Sequence, residues 1–209
     1  MTPEGFAAEF DVSRETLDRL LRYEAVLRHW NPRINLVARA SLDDVWARHF
    51  ADSAQLVGLA PPSPANWVDM GSGAGFPGLV VAAILAEQAP GCRVSLIESD
   101  GRKSAFLHSA AREMGIEVGI ETTRIEDAPA RSVDVVSARA LAPLDALLAL
   151  AQRFCGSGTR LLFPKGRMVE SELTDARAHW HIDARLHVSR TDPSGRIVEV
   201  RDFHPRRDN

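Results

Sequence analysis

Gly71, Gly73, Gly75 and Gly78 fall close together in "WVDMGSGAGFPGL". An apolar strand pattern enters this turn and an apolar helix pattern leaves it. Glycine accepts positive φ and carries no Cβ, so a ligand can lie against such a backbone. Triphosphates, dinucleotides and nucleoside sulfoniums all bind turns of this kind. A phosphate loop needs lysine and then serine or threonine after its glycines. Here Phe76-Pro77-Gly78-Leu79 follow, which excludes the triphosphate. Gly73-x-Gly75-x-x-Gly78 formally fits the dinucleotide fingerprint, but Asp69 stands two residues before the first glycine. A carboxylate there repels a pyrophosphate and suits a cationic amine or sulfonium. The plain alternative is a tight strand–helix turn.

Glu98 ends the next strand pattern, where a ribose carboxylate follows a nucleotide-binding turn. It can accept both ribose hydroxyls of an adenosine, or be a solvated strand end. Ile125 and Glu126, in "TRIED" after the third strand, would then flank the adenine; otherwise that stretch is an ordinary connection. Asp69, the glycines and Glu98 together describe S-adenosyl-L-methionine.

These residues need a scaffold. After Ser13, a candidate N-cap, Leu17, Leu20, Tyr23, Leu27 and Trp30 recur at helical spacing until "NPRIN" breaks the pattern. A second helix is expected from "SLDD", with Ser41 and Asp44 as a capping box. Its apolar face reads Leu42, Val45, Trp46, His49, Phe50, Ser53 and Val57. The proline-rich "LAPPSPAN" closes this helical extension, residues 1–65. From residue 66 to 209, strands ("NWVDM", "RVSLIE", "IEVGIE", "SVDVVSA", "GTRLLFP") alternate with helices, and "ARLHVSR" and "GRIVEVRDF" form a terminal hairpin. The expectation is an α/β fold with a mostly parallel seven-stranded sheet, its last strand antiparallel.

The composition is that of a soluble globular domain: 45% apolar and 25% charged over 209 residues. A formal charge of −3 does not suggest a nucleic-acid binder. Lys103 and Lys165 are the only lysines, so any RNA contact must come from a local patch. No apolar run approaches the roughly 20 residues of a membrane helix, and "MTPEGFAAEFDVS" lacks a secretory pattern. Cys92 and Cys155 form neither a disulfide framework nor a zinc site, and His179-Trp180-His181 lacks a third ligand, so no metal is expected. The expected location is the cytoplasm.

"WNPRINLVA", "RHFADS", "VDMGSGAGFPGL", "DGRKSAFL", "RIED", "VVSARALAPL" and "FPKG" follow in an order and spacing that resembles the glucose-inhibited division protein B (RsmG) family, the bacterial 16S rRNA guanine-N7 methyltransferases. The glycine motif alone says only methyltransferase; "RHFADS" and "SARA" are more specific. The resemblance implies a class I, Rossmann-like methyltransferase core with a helical N-terminal extension. It implies transfer to N7 of guanine 527 of 16S rRNA, within the 30S subunit. Carried over by position, Gly71, Phe76, Ile125, Glu126 and Arg139 contact the cofactor, with Glu98 on the ribose. Trp46 and the lysine-free tail "RIVEVRDFHPRRDN" depart from the family pattern.

Guanine N7 has a lone pair and no proton, so its methylation needs no general base, and no acid or base is nominated. The task is positioning, an effective-molarity contribution of roughly 7–11 kcal/mol at best. Arg139, at the carboxyl edge of the fourth strand, can grip the cofactor carboxylate or the guanine; alternatively it pairs with Asp69 or another carboxylate. Lys165, ending the fifth strand, is a candidate for an RNA phosphate. His49 is either a core histidine bonded to backbone or a residue of the active-site mouth and a candidate RNA contact. Arg48 and Asp52 stand at the spacing of a helical surface pair, with Arg48 also a candidate RNA contact. A methyltransferase acting on another RNA is the near alternative, and two rival classes stand beside it: a small nicotinamide oxidoreductase, and a non-catalytic adenosine- or RNA-binding module.

Overall fold

A computed structural model describes residues 1–206 of the chain; the end of the C-terminal tail, residues 207–209, lies outside them. α1 (Pro3–Phe10) is a short helix that apolar spacing does not signal, since Phe6 is the residue it buries. Ser13 caps α2 (Arg14–Ile34) as expected, its Oγ accepting from the Thr16 amide. Leu20, Tyr23 and Leu27 face the core from α2.

The break expected at "NPRIN" falls later. α2 runs through Pro32 and ends at Asn35, which is left-handed at φ 46°. Proline forfeits one amide near a helix end, while the Asn31 side chain holds both the amide and the carbonyl of Val37 beyond it. The helix expected from "SLDD" is irregular. A 3-10 turn (Arg39–Ser41) leads to a π-helical stretch (Trp46–Ala51), one α-turn, α3 (Asp52–Ala54), and a 3-10 turn (Val57–Leu59). Ser41 and Asp44 form no capping box: Ser41 Oγ donates to the Ala38 carbonyl instead. The apolar face nevertheless packs inward, with Val45, Trp46 and Phe50 buried. Trp46 is accommodated by stacking on Phe50 and by donating its indole N–H to Glu24 at 2.7 Å.

The remaining elements alternate: β1 (Asn66–Met70), α4 (Gly78–Gln88), β2 (Arg93–Ile97), α5 (Gly101–Met114), β3 (Gly119–Glu121), β4 (Val135–Ser137), α6 (Leu144–Ala151), β5 (Arg160–Lys165), α7 (Val169–His179), β6 (Trp180–Val188) and β7 (Arg196–Pro205). They make one seven-stranded sheet in the order β3-β2-β1-β4-β5-β7-β6. β1 to β5 pair in parallel, and the last strand, β7, is antiparallel to both β5 and β6. One face is covered by α2, α4 and α5, where Leu20, Tyr23 and Leu27 join Leu79 and Phe106 in a common core. The other is covered by α6 and α7 through Leu144, Leu148 and Leu173. Burial on both faces explains the nearly continuous apolar character of β1, β4 and β5. The strand order reverses between β1 and β4, and an open α/β sheet binds its ligand at the carboxyl ends flanking such a point.

Candidate functional site

The glycine turn leaves β1 at this switch point. Gly71 has φ 64°, a left-handed conformation that favours glycine, and a Cβ there would stand 2.6 Å from Leu141 Cδ1 and displace that side chain. Tyr23 fixes the turn from α2: its buried hydroxyl donates to the Ala74 carbonyl, and burial pushes its pKa well above the usual value. Sequence reasoning missed this role. The available signal was a polar tip on an apolar helical face, which wants a buried partner.

A cavity of about 770 Å³ opens over the turn. Gly71, Gly73 and Phe76 line it from the loop after β1, Glu98 from the end of β2, Ile125 and Glu126 from a 3-10 turn after β3, and Arg139 from the end of β4. Arg48 and His49 of the N-terminal extension complete it. Glu98 is buried, not a solvated strand end. Its Oε2 accepts from the Gly73 amide and its Oε1 from the Asp100 amide, both at 2.8 Å. A carboxylate has about four acceptor sites, so each oxygen retains a lone pair for a hydroxyl.

Asp69 and Gly75 are not brought to the cavity wall. Asp69 lies beneath the turn, fully buried, rather than facing a bound cation. Its Oδ1 accepts from Ser137 Oγ at 2.7 Å and its Oδ2 from the Gly78 amide at 3.3 Å. Burial pushes its carboxyl up to about 6, against hydrogen bonds from Ser137, Ser72 and Gly78 and the charge of Arg139. The residue therefore ties β1, β4 and α4 together from below. At Gly75 a Cβ would meet the Tyr23 hydroxyl at 2.8 Å, so that glycine answers to packing.

Arg139 is engaged on both tips of its fork. Nη1 donates to Asp52 Oδ2 at 3.2 Å and to the Arg48 carbonyl at 3.1 Å, and Nη2 meets His49 Nδ1 at 2.8 Å. The guanidinium lies 5.2 Å from the centre of the Phe76 ring, on which His49 also stacks. Its carboxylate partner is thus Asp52 and not Asp69. The expected Arg48–Asp52 pair does not form: Asp52 Oδ2 accepts from Arg139, and its Oδ1 accepts from Gln55 and Thr191.

His49 is bonded to side chains rather than to backbone. Arginine can only donate, so Nδ1 accepts and Nε2–H donates to Ser41 Oγ at 2.9 Å. Desolvation, then Arg139 and Arg48, lower its pKa to about 3, in keeping with a neutral ring. Lys165 lies outside this cavity. Its Nζ is held at 2.7 Å by both Glu172 Oε2 and the Ala142 carbonyl, with the side chain 10% exposed. By contrast, the Arg48, Lys103 and Arg124 side chains line the cavity with no hydrogen bond or ion pair among the described residues. His179 bonds to Asp145 and His181 stacks on His204. Among the described residues no group of side chains gathers to hold a metal, and no helix is long and apolar enough to cross a membrane.

Residues 16–195 match a family described as GidB, rRNA small subunit methyltransferase G. The chain is 56% identical over 201 residues to the ribosomal RNA small subunit methyltransferase G of Rhodospirillum centenum, covering 96% of this chain and 91% of the relative. It is 51% identical over 203 residues to the protein of that name from Parvibaculum lavamentivorans, covering 96% and 89%. Among solved structures, it is similar to the O-methyltransferase from Bacillus cereus in complex with SAH, at a TM-score of 0.59 and 15% identity over 87% of this chain and 90% of that one. It is also similar to an S-adenosylmethionine-dependent methyltransferase from Aquifex aeolicus, at a TM-score of 0.57 and 14% identity, covering 77% and 92%. These two likenesses are of fold: the sheet has the class I methyltransferase architecture.

Proposed function

The chain belongs to the rRNA small subunit methyltransferase G family, and on that premise we propose that it transfers a methyl group from S-adenosyl-L-methionine to N7 of guanine 527 of 16S rRNA, in the context of the 30S subunit. The observation that carries the reading is the convergence of Gly71, Gly73, Glu98, Ile125 and Glu126, from three successive strand ends, on one cavity. The residues fit the cofactor. Glu98 is pinned by two amides with lone pairs to spare for ribose hydroxyls, and the Gly71 backbone is bare of a side chain. Ile125 and Glu126, on the same cavity wall, would flank the adenine.

When bound, S-adenosylmethionine supplies an electrophilic methyl on a sulfonium. The chain's own work is positional, since N7 offers its lone pair without losing a proton. Glu98 and the turn fix one reactant, and the loop that follows β4, with Arg139, lies where the other must arrive. The base must come from a loop or be unstacked, because a deep A-form groove hides its Hoogsteen edge. Arg48, Lys103 and Arg124 supply unmatched positive charge at the mouth for RNA phosphates.

The test is transfer of a labelled methyl to naked 16S rRNA and to unmethylated 30S subunits in parallel, with the modified base mapped by mass spectrometry of RNA fragments. Label on N7 of guanine 527 is expected, with subunits the better substrate. Label elsewhere would overturn the position, and cofactor binding without transfer would favour a non-catalytic module. Thermal stabilisation by NADH and not by S-adenosylhomocysteine would favour the oxidoreductase.

A further inference from the structure

A second cavity, of about 500 Å³, adjoins the first, and Arg139, Ala140, Leu141 and Ala142 line both. Its other side includes Lys165 at the end of β5 and Glu172 in the first turn of α7. N7 chemistry leaves a problem of selection, because adenine carries the same lone pair in the same place. The two purines differ at the opposite edge. Guanine presents N1–H and the N2 amino group as donors, whereas adenine N1 is an acceptor. A fixed anionic oxygen therefore accepts from guanine and repels adenine.

Glu172 offers such an oxygen. Its Oε2 is committed, accepting from the Leu144 amide at 2.9 Å and from Lys165 Nζ at 2.7 Å. Its Oε1 makes no hydrogen bond among the described residues, and the side chain is 26% exposed at this cavity. Lys165 is itself anchored on the Ala142 carbonyl, so the carboxylate is steadied against the shared wall. The other carboxylates of the cavity are less suited. Both Asp52 oxygens are engaged, by Arg139 on one and by Gln55 and Thr191 on the other. Asp192 is an exposed loop residue folded onto Ser194.

We infer that the second cavity receives the N1 and N2 edge of the target guanine and that Glu172 Oε1 reads it, leaving N7 directed towards the first cavity past the residues that line both. The inference rests on the methyltransferase reading above. It also assigns Lys165 a task, that of fixing the carboxylate. As the methyl arrives, positive charge develops on the purine and N1–H becomes more acidic, so this contact strengthens towards the transition state.

The experiment measures single-turnover transfer to reconstituted small subunits bearing guanosine, inosine or adenosine at the target. Inosine keeps N1–H and N7 but lacks the 2-amino group. Wild type should prefer guanosine over inosine by roughly fivefold or more, the scale of one good base-edge contact, and should leave adenosine unmodified. Glu172→Gln can keep its oxygen on Leu144 and Lys165 while turning an amino group to the cavity. It should lose guanosine transfer and bring the guanosine-to-inosine ratio close to one, with affinity for S-adenosylhomocysteine unchanged. Glu172→Asp, which keeps the charge but withdraws it, should lower the same ratio and serves if the glutamine variant does not fold. A purely structural Glu172 would slow all substrates alike, so a folded variant with the wild-type ratio overturns the inference. A wild type indifferent to the 2-amino group also overturns it, with the methyltransferase reading intact. A wild type that methylates none of the three substrates overturns both.

Discussion

Replacing Arg139 with alanine removes a fork that serves Asp52, the Arg48 carbonyl and His49 at once. The arginine and aspartate side chains are 17% and 19% exposed, between a surface pair and a buried one. Exposed pairs contribute about 0–1 kcal/mol, and stripping one partner from a buried pair costs about 3–5 kcal/mol. Asp52 keeps Gln55 and Thr191 as partners, so the loss should lie near the lower middle, about 2 kcal/mol. For a domain of this size that is a fall in Tm of about 4–8 °C. Arg139→Lys should recover little, because one ammonium cannot satisfy three acceptors in a planar fork. Activity separates holding from gripping. If the arginine leaves its resting contacts to hold cofactor or RNA, Arg139→Ala should lose most methyl transfer. Asp52→Asn, which only weakens the resting contact, should keep most of it. The assay is labelled methyl transfer to 30S subunits at a temperature well below the Tm of every variant. A folded Arg139→Ala with near-wild-type transfer would refute the functional role. Equal losses in both variants, with no further loss in the double variant, would reduce the arginine to an anchor for Asp52.

Glu98→Ala should weaken cofactor binding by about 3–6 kcal/mol, two charge-assisted bonds at about 1.5–3 kcal/mol each; calorimetry giving a wild-type Kd would remove Glu98 from the ribose. Gly78→Ala places a methyl against Leu96 and 2.8 Å from Asp69 Oδ2, and should cost about 1–3 kcal/mol by overpacking, read as a lower midpoint in denaturant melts. His49, held at about 3 against an ordinary 6.5, refuses a proton that the unfolded chain accepts. Wild type should therefore lose stability relative to His49→Gln as pH falls from about 6.5 towards 3. Asp69, held up at about 6, acts in the opposite sense, so the variant and wild type must be compared at each pH; parallel curves would contradict the His49 assignment.

What could be read from the chain was local. Ser13 as a cap, the apolar stripe of α2, the strand–helix alternation and the glycine turn each depend on residues within a few positions of one another. Glu98 was legible because its distance along the chain from the turn follows from one helix and one strand of ordinary length. The side-chain partners were not legible. Asp69 could face a ligand or the core, and only the packing of α4 and β4 against β1 placed it underneath, on Gly78 and Ser137. Arg139 could choose among several carboxylates, and only the docking of the N-terminal extension on the end of β4 brought Asp52 to it. Lys165 had the right address for a phosphate, yet Glu172 already pairs with its charge and the Ala142 carbonyl accepts from it. Periodicity and turn chemistry act through neighbours in sequence, whereas the partner of a charged side chain is chosen by whichever distant segment the finished fold brings within about 3 Å.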